Sequence, residues 1–560
     1  MPFSNHDVVP DSPINNFATW NPLRGGAAPS NGNLTINNAV IYWSNLPLQE
    51  NTYVEFYVTA GTTSTSAQFG VSTFDHAPAN RRIWGGNGQF YNGSWGGGLT
   101  SYTTGDVIAL HINSSNQVVF YKNGSLINSY SLPNNDVYLE ARRVSSSAFG
   151  TVNFGQDHTF GGAKTGGAGA TDANGLGQFY YQPPAGALAL CTQNIPSGPI
   201  DIANDDVPSD YFKAVTYIGN GSTQSIDVGF QPHFVWLKER SSTSFHQLLD
   251  VVRGAGKRLE SNSTGAEVTP SPVGLSSFDT DGFTVENNNG YNQSSQTYVA
   301  WCWKAAGSPA DNQARIIDTD GSLITKSTAD LKNETSASIT PSKVSANRKS
   351  GFSIVKYAGT GSVATVPHGL GKVPNLILIK RTSGASNWAV GGSILGSSST
   401  LYLNLTNKLE TYTNSLIENI QTSTKFQLGT DTNRNELNGA HIAYCWHSVA
   451  GYSKFGSYVG NGSADGPFVE LGFRPAWVMV KRTDSTGAWI IKGLSEVNPL
   501  TSHLNASTSA AEYTTNILEF DFLSNGYKIR NTNAGSNANN GTYIFMAFAE
   551  QPFNAPSNAR

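Results

Sequence analysis

The sequence predicts an all-β protein: one β-sandwich, then three tandem copies of a second β-sandwich. Three observations carry this. Apolar residues alternate at period two over short runs, as in Tyr53-Val54-Glu55-Phe56-Tyr57-Val58. Turn signals such as Asn123-Gly124 separate those runs. A three-part pattern then occurs three times. Its copies are Tyr217-Ile218-Gly219-Asn220-Gly221-Ser222 with Gly229-Phe230-Gln231-Pro232 and Phe234–Lys238; Tyr357–Ser362 with Gly369-Leu370, Pro374 and Leu376–Arg381; and Tyr458–Ser463 with Gly472-Phe473-Arg474-Pro475 and Trp477–Arg482. The tyrosine-to-lysine spacing is 21, 23 and 23 residues. Constant spacing of a multipart pattern marks a duplicated structural unit.

Composition bounds the function. Of 560 residues only 13% are charged, about half the usual ~25%. With 27 Phe, 23 Tyr and 11 Trp the chain can build several cores. Its net charge of −4, with scattered Lys and Arg, argues against a nucleic-acid partner. No apolar run is long enough for a membrane helix, so no membrane insertion is expected. The start, Met1-Pro2-Phe3-Ser4-Asn5-His6-Asp7, predicts no signal peptide. Three cysteines make no disulfide framework. Cys302 and Cys445 share one repeat position, which Met546 or Ala547 fills in the third copy, so they read as small buried apolar groups.

Taken in order, residues 1–19 form an arm and 20–196 the first sandwich. Its strands include 53–58, 66–71, 106–112, 117–122 and 152–155. Gly161 to Gly177 reads as a mobile loop, and 179–196 as a return to the sandwich. Residues 197–209 form a linker. The repeats span 210–306, 349–450 and 451–553, with a polar connector at 307–348 and a tail at 554–560. Each repeat predicts roughly eight strands. Helix is limited to a turn or two at Ser415–Ile420 and Ser507–Glu512.

The Gly-x-Gly-Ser segments predict tight turns, because glycine supplies backbone angles that other residues resist. A phosphate loop would need a Lys-Ser/Thr opening a helix, and here a strand follows. The lysines ending each apolar strand (Lys238, Lys380, Lys481) predict solvated strand ends. Phe278-Asp279-Thr280-Asp281-Gly282-Phe283 and Asp318-Thr319-Asp320-Gly321 resemble the opening of a calcium loop but lack the downstream Glu, so both read as hairpin turns. No catalytic or metal motif is present. His246 and Asp250, four apart on a strand-and-loop segment, share no face. No catalytic residue, metal or cofactor is expected. The surface candidate is Trp84-Gly85-Gly86-Asn87-Gly88-Gln89-Phe90-Tyr91-Asn92-Gly93-Ser94-Trp95. Its rings Trp84, Phe90, Tyr91 and Trp95 could stack on sugars; the competing reading makes them core and hairpin residues.

Gly105-Asp106-Val107-Ile108, Phe120-Tyr121-Lys122-Asn123-Gly124 and Val152-Asn153-Phe154-Gly155-Gln156 resemble the SPRY family, a concanavalin-like sandwich that binds ligands with its loops and has no common enzymatic activity. The repeat motifs, with Asp11–Leu23, Tyr452–Tyr458 and Phe522–Gly526, are similar to those of tailed-phage virion proteins, especially of phages from marine bacteria. That resemblance implies a non-enzymatic virion appendage, such as a tail fibre, assembled in the bacterial host cytoplasm. Its implied partners are other virion proteins and a host-surface glycan or protein, and fibres of this class are often homotrimers. The alternatives are a capsid-decorating or tail-architecture protein and a polysaccharide depolymerase. Gln231 stands where the third copy has Arg474, which separates the first repeat from a shared binding role.

Overall fold

A computed structural model describes residues 15–552 apart from 23–28, 37, 61–64, 74–77, 133–136, 145–148, 196–198, 201–205, 413–419, 494–496 and 516. Most of the expected arm and of the linker, the tail, and most of the Ser415–Ile420 helical turn lie outside those residues. The chain divides into two compact units, Met1–Pro196 and Ser197–Phe553. Both are built from strands, with short α-helices only at Thr328–Thr335, Thr432–Asn435 and Ala534–Asn537 among the described residues.

Unit 1 is a sandwich of a seven-stranded and a six-stranded sheet. The first is centred on Thr52–Val58 and Val107–Asn113, the second on Ala67–Thr73 and Val137–Arg143. Alternation sends Phe56 and Phe120 from one sheet to meet Phe69 and Trp84 of the other, with ring centroids 5.3 and 5.7 Å apart. Asn123 and Gly124 both hold positive φ (50° and 78°), as a two-residue hairpin turn demands.

The stretch 161–177, expected to be mobile, is instead tied down by carboxylates. Asp157 accepts from the amides of Thr159 and Gly161, and Asp172 from those of Asn174, Leu176 and Ala189. The return segment then covers the outer face of the seven-stranded sheet. Phe179 and Ala187 pack on Tyr53, and Leu188–Ala189 pairs in parallel with Thr52–Val58. Buried Glu55 accepts from the amides of Tyr180 and Tyr181.

In unit 2 each repeat has eight described strands. In the first they run from Phe212–Ile218 to Thr297–Trp303, in the second from Phe352–Ala358 to Ala440–Trp446, and in the third from Ser453–Val459 to Thr542–Pro552. The first and third repeats share one topology, a five-stranded sheet facing a three-stranded one. The stretch 307–348, expected as a connector, adds Gln313–Ile317, Leu323–Ser327 and Lys343–Asn347 to the second repeat's larger sheet, plus a helix capped by Ser327. Its Ser, Thr and Asp content hid a period-two pattern that buries Ala314, Ile316, Val344 and Ala346. Ser507–Glu512 forms no helix; it is extended against the first repeat, where Ser509 and Glu512 make backbone bonds.

The last strand of each repeat is apolar on both faces. One face enters a private core: Ala300 and Cys302 in the first copy, Ala443 and Cys445 in the second, Phe545 and Ala547 in the third. Ala547 is therefore the residue that replaces the thiols. The other face enters one core common to all three copies, through Trp301 and Trp303, Tyr444 and Trp446, Met546 and Phe548. Trp303 lies 6.2 Å from Trp446 and 5.9 Å from Trp477, so one indole touches both other repeats.

Equivalent bonds then close a ring. Trp388 Nε1 donates to Glu260 O at 2.7 Å, Trp489 Nε1 to Tyr402 O at 2.9 Å, and His246 Nε2 meets Asn505 O at 3.2 Å. The His246 ring accepts at Nδ1 from Trp236 Nε1, which places its proton on Nε2. Beside these run three pairs of backbone bonds: Ser386 to Thr264 and Glu267 to Thr382, Gly487 to Thr406 and Leu409 to Thr483, Ser244 to Ser509 and Glu512 to Arg240. Copy two binds copy one, copy three binds copy two, and copy one binds copy three. A threefold assembly is thus closed within a single chain.

Candidate functional site

The repeated residues come first, because repetition made them conspicuous. Tyr217, Tyr357 and Tyr458 occupy matching surroundings. Their hydroxyls donate to Tyr291 O, Arg434 O and Ser536 O, and their rings stack on Tyr298, His441 and Tyr543 at 4.9–5.2 Å. Each Gly-x-Gly-Ser turn is gripped by a buried asparagine. Asn292, Asn435 and Asn537 accept from the amides of Asn220, Thr360 and Asn461 and donate to the carbonyls of Ser222, Ser362 and Ser463. A Cβ at Gly219, Gly359 or Gly460 would meet a backbone oxygen at 2.2–2.3 Å, so only glycine fits there. These asparagines escaped the sequence reading. Their signal is an Asn six residues before the ring that stacks on the repeat tyrosine.

The three strand-end lysines overturn the expectation of solvation. Lys238, Lys380 and Lys481 are fully buried. Lys380 Nζ donates to Ser386 O at 2.8 Å and to Thr264 O of the first copy at 3.0 Å; Lys481 Nζ donates to Arg482 O at 2.7 Å and to Thr406 O of the second at 3.4 Å. Lys238 turns to the carbonyls of Glu239 and Ser242. Burial pulls all three ammonium groups down to about 8. All three donate to carbonyls, and Lys380 and Lys481 thereby fasten neighbouring copies together.

The calcium-like segments are turns. Asp279 accepts from the hydroxyls of Ser277 and Thr284, and Asp320 from the amide of Ser322. Among the described residues no three His, Cys, Asp or Glu side chains converge to hold a metal ion. His246 and Asp250 do not meet: Asp250 binds Arg253 and the Tyr444 hydroxyl.

In unit 1 the aromatic segment splits in two. Gly85-to-Gln89 bonding folds Arg81–Gly85 onto Phe90–Tyr91, which pairs in turn with Trp95–Gly96 at the sheet edge. Register places Trp84 opposite Phe90, and Tyr91 opposite both Ile83 and Trp95. Trp84 and Phe90 therefore face the sandwich core and are buried; Phe90 stacks on Tyr130 at 3.5 Å. Neither presents a face to a ligand, which corrects half of the predicted set. Tyr91 and Trp95 stand on the opposite, outer face, half-buried and 5.2 Å apart edge to face.

That outer face carries more than rings. One register row crosses it as Trp43, Glu140, Gly70, Ile83, Tyr91 and Trp95. Arg81 Nη2 reaches Glu140 at 2.5 Å and Gln68 Oε1 at 3.3 Å, while its guanidinium lies 5.1 Å from the Tyr91 ring centroid. Trp43 Nε1 donates to Ser72 at 3.0 Å. The row spans five strand spacings, roughly 24 Å. It sets two half-exposed rings beside a planar charged pair whose donors and acceptors are fixed. Sequence reasoning missed Trp43, Arg81 and Glu140, because strand register alone brings them to Tyr91.

No curated protein matches the chain. Among solved structures, a human SPRY domain is 17% identical over 21% of this chain and 86% of that one, with a TM-score of 0.18. The carbohydrate binding module CBM66 from Bacillus subtilis is 11% identical over 24% and 93%, with a TM-score of 0.18. Galectin LEC-6 from Caenorhabditis elegans is 9% identical over 21% and 91%, with a TM-score of 0.15. Such scores carry no argument about this chain, whose all-β class rests on its own strands. A family profile matches residues 207–334 and 324–552, more than half of the chain. The chain belongs to the family described as "Domain of unknown function (DUF7483)".

Proposed function

We propose that the protein is a non-enzymatic binding component of a tailed-phage virion, a tail fibre or similar host-facing appendage. In this reading unit 1 contacts a host-surface glycan and unit 2 is its rigid mount. The observation that carries the binding role is the outer face of the six-stranded sheet, where Tyr91 and Trp95 stand beside the Arg81–Glu140 pair. Aromatic faces stack on the C–H faces of sugar rings, and the buried Arg81–Glu140 pair fixes the guanidinium against the Tyr91 ring. The virion setting comes from the resemblance of the repeat motifs. Weak sites of this kind gain strength from copy number, to which homo-oligomers such as trimers would add.

The test is adsorption of labelled protein to susceptible cells and to their isolated polysaccharide. Wild type binds both, and the double variant Tyr91→Ala/Trp95→Ala, with half-exposed rings removed, folds and loses at least tenfold in affinity. Unchanged binding by the double variant would remove the face from the reading. New reducing ends in the polysaccharide would replace binding with depolymerisation.

The closed ring of unit 2 favours a second reading, a structural part of the capsid or tail. Cryo-electron microscopy of intact particles separates the two: an appendage exposes the unit 1 face to solvent, and an architectural protein covers it with a neighbour.

A further inference from the structure

We infer that the outer face of unit 1 takes an acidic saccharide, its carboxylate received by Arg142. This rests on the sugar-binding reading above and narrows it to one chemical class. Arg142 stands on Val137–Arg143, in register with Ile41 on one side and Gln68 on the other. Gln68 is in turn opposite Gly85. A Cβ on Gly85 would lie 3.1 Å from the Trp95 ring, so the indole folds back over this glycine. Arg142, Gln68 and the Trp95 ring therefore share one row across three strands. From Arg142 to Gly85 is two strand spacings, about 10 Å. One ring of a saccharide chain can rest on Trp95 while the carboxylate of a neighbouring ring reaches the guanidinium.

The neighbouring arginines are all engaged. Arg81 holds Glu140, Arg82 donates to the carbonyls of Ala79 and Ser131, and Arg143 donates to Ala60 O. Arg142 differs: Arg258, Arg381 and Arg434 also bury an Nε without a partner but bond through their other nitrogens, whereas the Arg142 side chain makes no hydrogen bond or ion pair with a described residue. The Nε itself is covered, so the donors left for a carboxylate are the two outer nitrogens of this half-buried side chain. The charge agrees. Among the described residues of this face, Arg81 and Arg142 stand against Glu140, two positive charges against one negative. A planar guanidinium matches a planar carboxylate through two parallel bonds, which a neutral hydroxymethyl group cannot make.

The test uses the full chain and defined probes: oligogalacturonate, oligomannuronate and hyaluronan oligomers, each beside its carboxyl-reduced counterpart, plus sulfated carrageenan oligomers. Titration calorimetry is expected to show binding to at least one carboxylated probe, weakened at least tenfold by carboxyl reduction. Arg142→Gln should abolish that discrimination and Arg142→Lys should retain part of it. Because Arg142 meets no partner at Nε, both variants keep the wild-type melting temperature, which separates a ligand role from a structural one. Equal binding of charged and reduced forms, or wild-type discrimination by Arg142→Gln, overturns the carboxylate assignment and leaves the sugar-binding reading standing. Preference for the sulfated probe alone also overturns it. Binding to none of the probes, charged or neutral, overturns both.

Discussion

The three repeated lysines of unit 2 and Arg142 of unit 1 are treated in opposite ways. In unit 2 the three lysines that end the central strands donate to main-chain carbonyls, and two of them do so across a boundary between copies. In unit 1 the half-buried Arg142 side chain, on an outer sheet face, makes no hydrogen bond or ion pair with a described residue. The first pattern is what a closed structure requires, since an unpaired charge in its interior would be costly. The second is what the proposed carboxylate site requires. Repetition drew attention to unit 2, yet its repeated lysines, tyrosines and asparagines are used up in holding it together.

Acid should produce the largest difference between the units. Burial lowers the imidazoles of His233, His368, His441 and His503 to about 4 and that of His246 to about 3, all in unit 2. The unfolded chain takes up these protons near pH 6.5, well before the folded state can. The stability they represent is complete above that pH and falls away as the pH drops towards 4. Each shift of two or more units corresponds to up to about 2 kcal/mol at pH 5, so five together weaken unit 2 by several kcal/mol. Unit 1 has His111, lowered to about 4 by burial, but also Glu55, raised to about 7 by burial. A raised carboxyl has the reverse sign, and its burial becomes less costly as the pH falls from 7 to 4.5. Hydrogen exchange read peptide by peptide should show unit 2 opening between pH 7 and 5 while unit 1 changes little. Equal loss of protection in both would break the comparison.

Next in size is the shared core. Trp303 packs on Phe212 and Phe234 of its own copy, Trp446 of the second, and Trp477 and Phe548 of the third. Trp303→Ala should cost about 3–5 kcal/mol. Because the ring touches all three copies, protection should fall in all three by a similar factor. Loss confined to residues of the first repeat would mean that the copies are independent sandwiches in series and that the ring bonds contribute little.

Much of this architecture was legible in the sequence, and the reasons differ from part to part. The repeat was readable because its turn glycines and stacked tyrosines recur as identical residues. The ring was not, because its contacts go through the backbone and through His246, Trp388 and Trp489, which share only a ring N–H. The strands inside 307–348 were masked by polar composition, although Gln313–Ile317 alternates. Lys238, Lys380 and Lys481 were misread because the default for a strand-end lysine is solvent, and the carbonyls that receive two of them belong to another copy. In the aromatic segment composition singled out four rings, but only the pairing of Trp84 with Phe90 and of Tyr91 with Trp95 decides which two point outward. Arg142 carried no signal at all; the role proposed for it depends on what it fails to touch.

The smallest effect is the sharpest test of the contrast, a matched pair of methionine substitutions. Lys380→Met keeps the length of the stem and removes the donors. Ser386 O loses its 2.8 Å partner, and Thr264 O keeps only the amide of Ser386. A buried acceptor left unmet costs about 1–3 kcal/mol, partly offset because a buried charge is removed as well. Arg142→Met removes a donor that was already unmet, so its cost is near zero or of opposite sign. The pH dependence adds a check. With its ammonium lowered to about 8, Lys380 binds its proton less readily in the folded than in the unfolded chain, so wild-type unit 2 gains stability as the pH rises from 8 towards 10. Lys380→Met should lose its share of that gain, and Arg142→Met should leave it intact. Two methionines with the same sign and the same pH profile would erase the distinction between a cation used by the fold and one held open for a ligand.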